Sequence, residues 1–124
     1  IEVQKMILNK QKCVSCRKFS PHIPDEEILV LLPQITNWAI TEISGIKRLS
    51  RNIDFTNFAD AIDFGMKIGQ LAESEGHHPK LTIEWGKVSV DWWTHKIGGL
   101  HKNDFIMAAK TDQVYESIND SRLT

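Results

Sequence analysis

The chain has 124 residues, of which 41% are hydrophobic and 25% are charged, a composition typical of one globular domain. Its formal net charge is −1 and its basic residues form no block, which argues against a nucleic-acid partner or an anionic membrane surface. No apolar stretch approaches the roughly 20 residues that span a bilayer, and the first residues lack the pattern of a signal peptide, so we expect a cytoplasmic protein.

Residues 1–20 are predicted to be a loosely ordered N-terminal arm ahead of a single domain formed by residues 21–124. The arm contains both cysteines of the chain, Cys13 and Cys16, in a C-x-x-C spacing. Such a pair can be two structural thiols, part of a metal site or a redox pair. His22 would supply a third metal ligand, but no fourth ligand is close by, so structural thiols are the favoured interpretation.

A short helix is predicted between Pro24, which opens it, and Pro33, which closes it, with three acidic residues at its positively polarised N-terminus. Two strands follow over residues 38–43 and 46–53, and the Ser44-Gly45 dipeptide between them suits a hairpin turn. The register that this turn sets pairs Glu42 with Lys47 and Ile40 with Leu49.

A long helix is predicted from Asp54, as its N-cap, to Glu75, with Gly76 as the C-terminal stop. It has two apolar stripes, one made of Phe55, Phe58, Ile62 and Met66 and the other of Phe64, Ile68 and Leu71. A surface helix of a globular domain needs only one such stripe. We therefore expect one of the two stripes to pack on the sheet and the other to pack against another helix or a second subunit. Because the domain is small, a second subunit is the favoured interpretation, and we predict self-association to a dimer or tetramer.

A second hairpin is predicted from strands 81–85 and 88–94 around Gly86-Lys87, where a glycine in the first central position favours a type II′ turn. This register puts six apolar residues on one face by pairing Trp85 with Val88, Ile83 with Val90 and Leu81 with Trp92. Extended outward, it places His78 opposite His95 on the other face.

A last helix is predicted from about Lys102. The element order then predicts an α+β fold of two layers, α-β-β-α-β-β-α, in which a four-stranded antiparallel sheet has its helices packed on one face.

Three histidines and an aspartate are expected to line one cleft, namely His77, His78, His95 and Asp104. Imidazoles titrate near neutral pH and suit acid–base catalysis, but the same set suits a zinc or iron site, and spacing alone leaves both open. Asp104 can also simply cap its helix. Trp93 falls on the histidine face, where it either walls a cleft for a flat ligand or covers a sheet edge or subunit contact.

The segments 75–79 (EGHHP), 93–95 (WTH) and 99–104 (GLHKND) together resemble the pterin-4a-carbinolamine dehydratase family, over residues 20–118. Segments 84–88 and 104–109, with the cysteine-containing arm, are similar to its bacterial branch. Two positions depart from the family pattern. Gly76 replaces a residue that is acidic in some relatives, and His101 replaces a helix-capping serine.

The resemblance implies removal of water from a 4a-hydroxytetrahydropterin, which gives the quinonoid dihydropterin and recycles the cofactor of an aromatic amino acid hydroxylase. It implies no metal and no organic cofactor. The catalytic residues that it implies are His77, His78, His95 and Asp104. The substrate-binding residues that it implies are Glu73, His77, His78, Pro79, Thr94, His95, Lys96 and Ile97. We expect His77 and His95 to transfer protons and His78 mainly to contact the pterin.

Two alternatives remain at this point. Animal relatives of this fold also serve as dimerisation partners of a transcription factor, so the long helix could belong to a non-enzymatic coactivator module. The histidine cluster could instead make this a metalloprotein.

Overall fold

The computed structural model describes residues 8–14 and 20–123, with side chains described as far as residue 119. It confirms the predicted α+β fold, with three helices and one four-stranded antiparallel sheet. The elements are α1 (Asp25–Leu31), β1 (Ala39–Ile43), β2 (Ile46–Asp54), α2 (Phe58–Glu75), β3 (Lys80–Glu84), β4 (Lys87–Trp92) and α3 (Lys102–Leu123). Short 3₁₀ segments cover Leu8–Lys10, Leu32–Gln34 and His95–Ile97.

The strands lie in the order β1-β2-β4-β3, so both hairpins are intact and β2 pairs with β4 at the centre. The register of the first hairpin is as predicted, with Glu42 opposite Lys47 and Ile40 opposite Leu49. Its turn residues Ser44 and Gly45 have φ of 53° and 79°. Positive φ at both central positions is what a type I′ turn requires, and this turn follows the right-handed twist of the strands.

The predicted register of the second hairpin is wrong by two residues. Gly86, with φ of 79°, occupies the second central position of the turn, so the loop consists of Trp85 and Gly86. The observed pairs are Glu84 with Lys87, Ile83 with Val88, Thr82 with Ser89, Leu81 with Val90 and Lys80 with Asp91. Trp85 therefore lies exposed at the turn instead of on the apolar face.

A shift of two residues preserves which side chains share a face, because side chains alternate along a strand. Val88, Val90 and Trp92 are accordingly buried, as predicted. The extension of the register past Lys80 and Asp91 brings His78 level with Trp93, so the expected direct pairing of His78 with His95 is also wrong.

The long helix begins later than predicted. β2 runs on to Asp54, which pairs with Lys87, and the N-cap of α2 is Asn57, whose side-chain oxygen accepts a hydrogen bond from the Asp60 N–H at 2.8 Å. Strand pairing with β4 thus outweighs the capping tendency of Asp54. The predicted C-terminal stop is confirmed, since Gly76 is left-handed with φ of 66°.

Helices α2 and α3 cover one face of the sheet. Trp92 of β4 donates from Nε1 to Oγ1 of Thr111 on α3, at 3.1 Å. Gly65 of α2 lies so close to Ile83 of β3 that a Cβ atom on it would be 2.5 Å from the Ile83 side chain. The helix and the sheet therefore meet at a residue where only glycine fits without a shift. Within the described residues, none of the helices combines the length and the apolar character needed to cross a bilayer.

Part of the arm lies within the described residues and packs on the domain. The Leu8 side chain is 1% exposed and belongs to the hydrophobic core. The Asn9 carbonyl accepts a hydrogen bond from Nζ of Lys110 on α3, at 3.0 Å. Residues 1–7 and 15–19, which include Cys16, lie outside the described residues. The boundary of the domain at residue 21 stays a prediction.

Candidate active site

His77 is placed by the way α2 ends. The Gly76 N–H donates to the Glu73 carbonyl and the His77 N–H to the Ala72 carbonyl, at 3.4 and 3.2 Å. These two bonds form a Schellman motif, which fixes the path of the chain just after a helix. The His77 ring then stacks on Trp92, with ring centroids 5.8 Å apart and an interplanar angle of 7°.

Asp104 lies in the first turn of α3, as predicted, with its side chain fully buried. Its Oδ1 is 2.6 Å from Nε2 of His77. Its Oδ2 accepts from the Thr94 hydroxyl and from the His101 N–H, each at 2.9 Å. Asp104 therefore caps its helix and also orients His77, so the capping interpretation and the active-site interpretation of this residue are compatible.

His101, at the position expected to cap α3, does so through its ring. Its Nδ1 accepts from the Asn103 N–H at 3.1 Å. An imidazole thus performs the capping function for which small hydroxyl side chains are usual.

His78 follows His77 but points to solvent. Its Nε2 is 2.6 Å from Oε1 of Glu73, and both side chains are more than half exposed. Pro79, half-buried, leads from His78 into β3.

His95 opens the 3₁₀ segment after β4 and is exposed. Its ring stacks on Trp93 with centroids 4.5 Å apart. The guanidinium of Arg48, which is held near Asp91, lies 3.9 Å from the centroid of the same indole. Trp93 is therefore fixed by a cation–π contact and in turn positions His95.

One pocket of about 410 Å³ brings the histidines together. It is lined by Cys13, Val14, Glu75, Gly76, His77, His78, Trp93, Thr94, His95, Lys96 and Asn103. Five predicted site residues are in this set, and Asp104 lies behind His77. Glu73, Pro79 and Ile97 are outside the lining, and the Ile97 carbonyl is instead 2.7 Å from Nε2 of His22.

Sequence reasoning missed the side of the pocket formed by the arm. Burial, together with the negative charges of Glu75 and Asp104, raises the pKa of the Cys13 thiol from 9.0 to about 12. Cys13 is a free thiol, and its Sγ lies 3.9 Å from the Asn103 carbonyl. Of the three interpretations of the cysteine pair, a structural thiol fits Cys13, because its raised pKa keeps the thiol protonated near neutral pH.

Among residues 8–14 and 20–119, no three His, Cys, Asp or Glu side chains converge as metal ligands do. The imidazoles of His77 and His78 are each bonded to a carboxylate, whereas His95 is stacked on the indole of Trp93.

Comparison with known proteins places this pocket in a family. Residues 21–114 match the family model described as pterin 4 alpha carbinolamine dehydratase. A protein of Saccharophagus degradans is 54% identical over 109 residues, which cover 88% of this chain and 96% of that protein. One of Chlorobium luteolum is 50% identical over 111 residues, covering 90% and 97%. Both are named, provisionally, as pterin-4-alpha-carbinolamine dehydratases.

A solved structure from Brucella melitensis, titled as a transcriptional coactivator/pterin dehydratase, matches with a TM-score of 0.67. It is 24% identical and covers 76% of this chain and 98% of its own, a likeness that shows the fold. The family match, the relatives at about half identity and the histidine pocket agree, and the chain belongs to the pterin-4a-carbinolamine dehydratase family.

Proposed function

We propose that this protein is a 4a-hydroxytetrahydropterin dehydratase. The reaction breaks the C4a–O bond, delivers a proton to the departing hydroxyl to make water, and removes the proton from N5. The N5–H electron pair becomes the new bond between N5 and C4a, which gives the quinonoid dihydropterin. Atoms and charge balance without an oxidant or a reductant.

The observation that carries the proposal is the meeting of His77, His78 and His95 on one pocket of about 410 Å³. This volume is in the range of small-molecule sites. The elimination needs one proton donor and one proton acceptor, and imidazoles can serve as either near neutral pH. The indole of Trp93, also in the lining, offers a flat apolar surface for a flat heterocycle.

We assign proton transfer to His77 and His95. The Asp104 carboxylate accepts a hydrogen bond from Nε2 of His77, which leaves Nδ1 as the basic atom of a neutral ring. His95 is exposed on the pocket and held by Trp93. His78, oriented by Glu73, is assigned a pterin contact, and backbone groups of residues 94–97, with Pro79, complete the binding site.

The substrate is proposed to be a tetrahydrobiopterin-type carbinolamine, made by an aromatic amino acid hydroxylase, and the enzyme is proposed to act in the cytoplasm. Self-association is part of the proposal. Three apolar side chains of α2 remain exposed in one chain, Phe58 at 46%, Ile62 at 39% and Met66 at 59%. They belong to one of the two predicted apolar stripes, and we propose that this stripe meets a second subunit.

The test is the dehydration rate of a 4a-hydroxytetrahydropterin with purified protein in the presence of a metal chelator. We expect the protein to accelerate dehydration over the spontaneous reaction, and we expect His95→Ala to lower the catalysed rate by roughly 10²- to 10⁴-fold. No acceleration by the wild-type protein would refute the proposed function. An unchanged rate in His95→Ala would refute the role of that residue alone.

A further inference from the structure

The N-terminal arm reaches the pocket, and its last described residues form one side of it. We propose that Cys13 and Val14 are a substrate-contacting wall of the binding site, and that Asn103 and Glu75 are positioning residues that hold this wall in place. This inference rests on the proposed function and deepens it, because it assigns substrate affinity to Cys13 and Val14, which lie more than 60 positions from the pocket histidines.

Asn103 holds the wall with both ends of its side-chain amide. Its Oδ1 accepts from the Val14 N–H at 3.0 Å, and its Nδ2 donates to the Val14 carbonyl at 2.8 Å. An adjacent β-strand would satisfy the same two backbone groups in the same way. Asn103 is only 2% exposed, so this pairing takes place with little competition from water.

Glu75 holds the neighbouring residue, Cys13. Its Oε1 accepts a hydrogen bond from the Cys13 N–H at 3.0 Å. Glu75 is the last residue of α2 and Asn103 is in the first turn of α3. The arm therefore spans the same two helix ends that place His77 and Asp104.

The arm is also anchored at its other end, where Leu8 enters the core and the Asn9 carbonyl accepts from Lys110. Residues 8–14 are thus fixed at both ends against the domain, and Val14 is held over the pocket. Two independent sets of contacts, apolar at Leu8 and polar at Val14, specify one position for this segment.

Val14 presents an apolar side chain, 63% exposed, at a pocket whose other walls carry many polar groups. A bound pterin would remove that apolar surface from water, which favours binding. The imidazoles are assigned to the reacting C4a and N5 atoms, so the arm contacts a part of the ligand that does not react. Contacts of this kind strengthen the ground state and the transition state equally and therefore lower KM without raising kcat.

The experiment compares Val14→Ala and Asn103→Ala with the wild-type protein in the dehydration assay, and measures the Kd of an oxidised pterin by fluorescence quenching. We expect KM and Kd to rise about threefold in Val14→Ala and about tenfold in Asn103→Ala, with kcat within about twofold of wild type. Val14→Ala leaves the backbone pairing intact, so it tests the wall even if Asn103→Ala folds poorly.

Asn57→Ala is the matched control. Asn57 also makes two side-chain hydrogen bonds, both to Asp60, but it caps α2 away from the pocket. It should lower stability and leave KM and Kd at wild-type values. An active wild-type protein whose KM and Kd do not change in Val14→Ala and Asn103→Ala would overturn this inference alone. A fall in kcat with constant KM would overturn it too, whereas an inactive wild type would refute the proposed function as well.

Discussion

The Nε2 atom of His77 lies 2.6 Å from Oδ1 of the fully buried Asp104, and the contact joins the end of α2 to the start of α3. The two residues are 27 positions apart, and each is fixed by its own helix end. The carboxylate selects the ring tautomer and orients the imidazole on Trp92. Two helix-terminal motifs thus set the geometry of the proposed proton-transfer group.

Asp104→Asn should lower kcat by about 100-fold, because an amide can bond to the other tautomer of His77 and does not stabilise an imidazolium. The measurement is kcat for dehydration as a function of pH. Asp60→Asn is the control, since Asp60 also lies in the first turn of a helix but far from the pocket. Equal kcat in Asp104→Asn and wild type would contradict the role given to this carboxylate.

His95→Gln should separate binding from proton transfer. Glutamine keeps a hydrogen-bonding group of similar length beside Trp93 but cannot donate or accept a proton at neutral pH. We expect kcat to fall by roughly 100-fold or more while the Kd of an oxidised pterin changes by less than about threefold. Trp93→Phe, which keeps an aromatic surface, should instead weaken binding more than turnover. A large rise in Kd with constant kcat in His95→Gln would assign His95 to binding alone.

The Cys13 thiol should react slowly with alkylating reagents. Its pKa is raised from 9.0 to about 12, so its thiolate fraction at pH 8 is about a thousandfold lower than that of an ordinary thiol. The rate of iodoacetamide labelling in a Cys16→Ser background measures this, with the protein unfolded in urea as the reference. Because the folded pKa lies above the unfolded one, this group's contribution to stability is present below pH 9 and is lost as the pH rises towards 12.

Glu75→Gln provides the matched variant for Cys13. It removes a negative charge that raises the thiol pKa and keeps an acceptor for the Cys13 N–H. Labelling should therefore become faster than in the parent protein, although burial still slows it. Labelling of folded and unfolded protein at equal rates would contradict the buried position of Cys13.

Local patterns predicted most of the fold but not where each element begins or how one hairpin aligns. The first hairpin could be read from Ser44-Gly45 because a type I′ turn tolerates few residues. In the second, Gly86 suits either central position of a turn, and the choice shifts the register by two residues. The face of Val90 was still predictable, since alternation survives such a shift.

The histidines of the pocket and Asp104 behind His77 were predictable from the sequence because their motif is specific, whereas the side formed by the arm was not. The contact between Val14 and Asn103 joins residues 89 positions apart, and neither residue has a periodic or turn pattern that marks it. Asn103 looks like an ordinary polar residue in the first turn of a helix. Only the tertiary structure reveals that its amide is paired with another segment of backbone.

The partly buried ion pair between Arg51 of β2 and Asp112 of α3, whose side chains are 14% and 16% exposed, should stabilise the contact between sheet and helix. Asp112 Oδ1 also accepts from Trp38 Nε1 at 2.8 Å. Arg51→Met leaves this partly buried carboxylate without its cation, and we expect the free energy of unfolding to fall by about 2 kcal/mol at pH 7, less than for a fully buried pair. Urea denaturation measures this free energy. The control is Lys67→Met, which breaks the exposed ion pair with Asp63 and should lower the free energy of unfolding by less than about 0.5 kcal/mol.

The loss of stability in Arg51→Met, called the deficit below, should depend on pH. Burial raises the pKa of Asp112 above its usual 3.8, while Trp38 and Arg51 oppose that effect, so loss of Arg51 raises the pKa further. A raised folded pKa favours the native state most when the group is protonated. The deficit should therefore be larger at pH 7 than near pH 4, and equal deficits at both would contradict this account.

The exposed stripe of α2 predicts that single charged substitutions change the oligomeric state. Met66→Glu places a carboxylate among Phe58 and Ile62, where a subunit contact would have to bury it unpaired. We expect sedimentation velocity at micromolar concentration to give an oligomer for wild type and a monomer for Met66→Glu. Leu29→Glu, at an apolar position on α1 that is even more exposed, should keep the wild-type mass. A monomeric wild type would refute self-association, and a stoichiometric foreign protein bound through this stripe would favour the coactivator module instead.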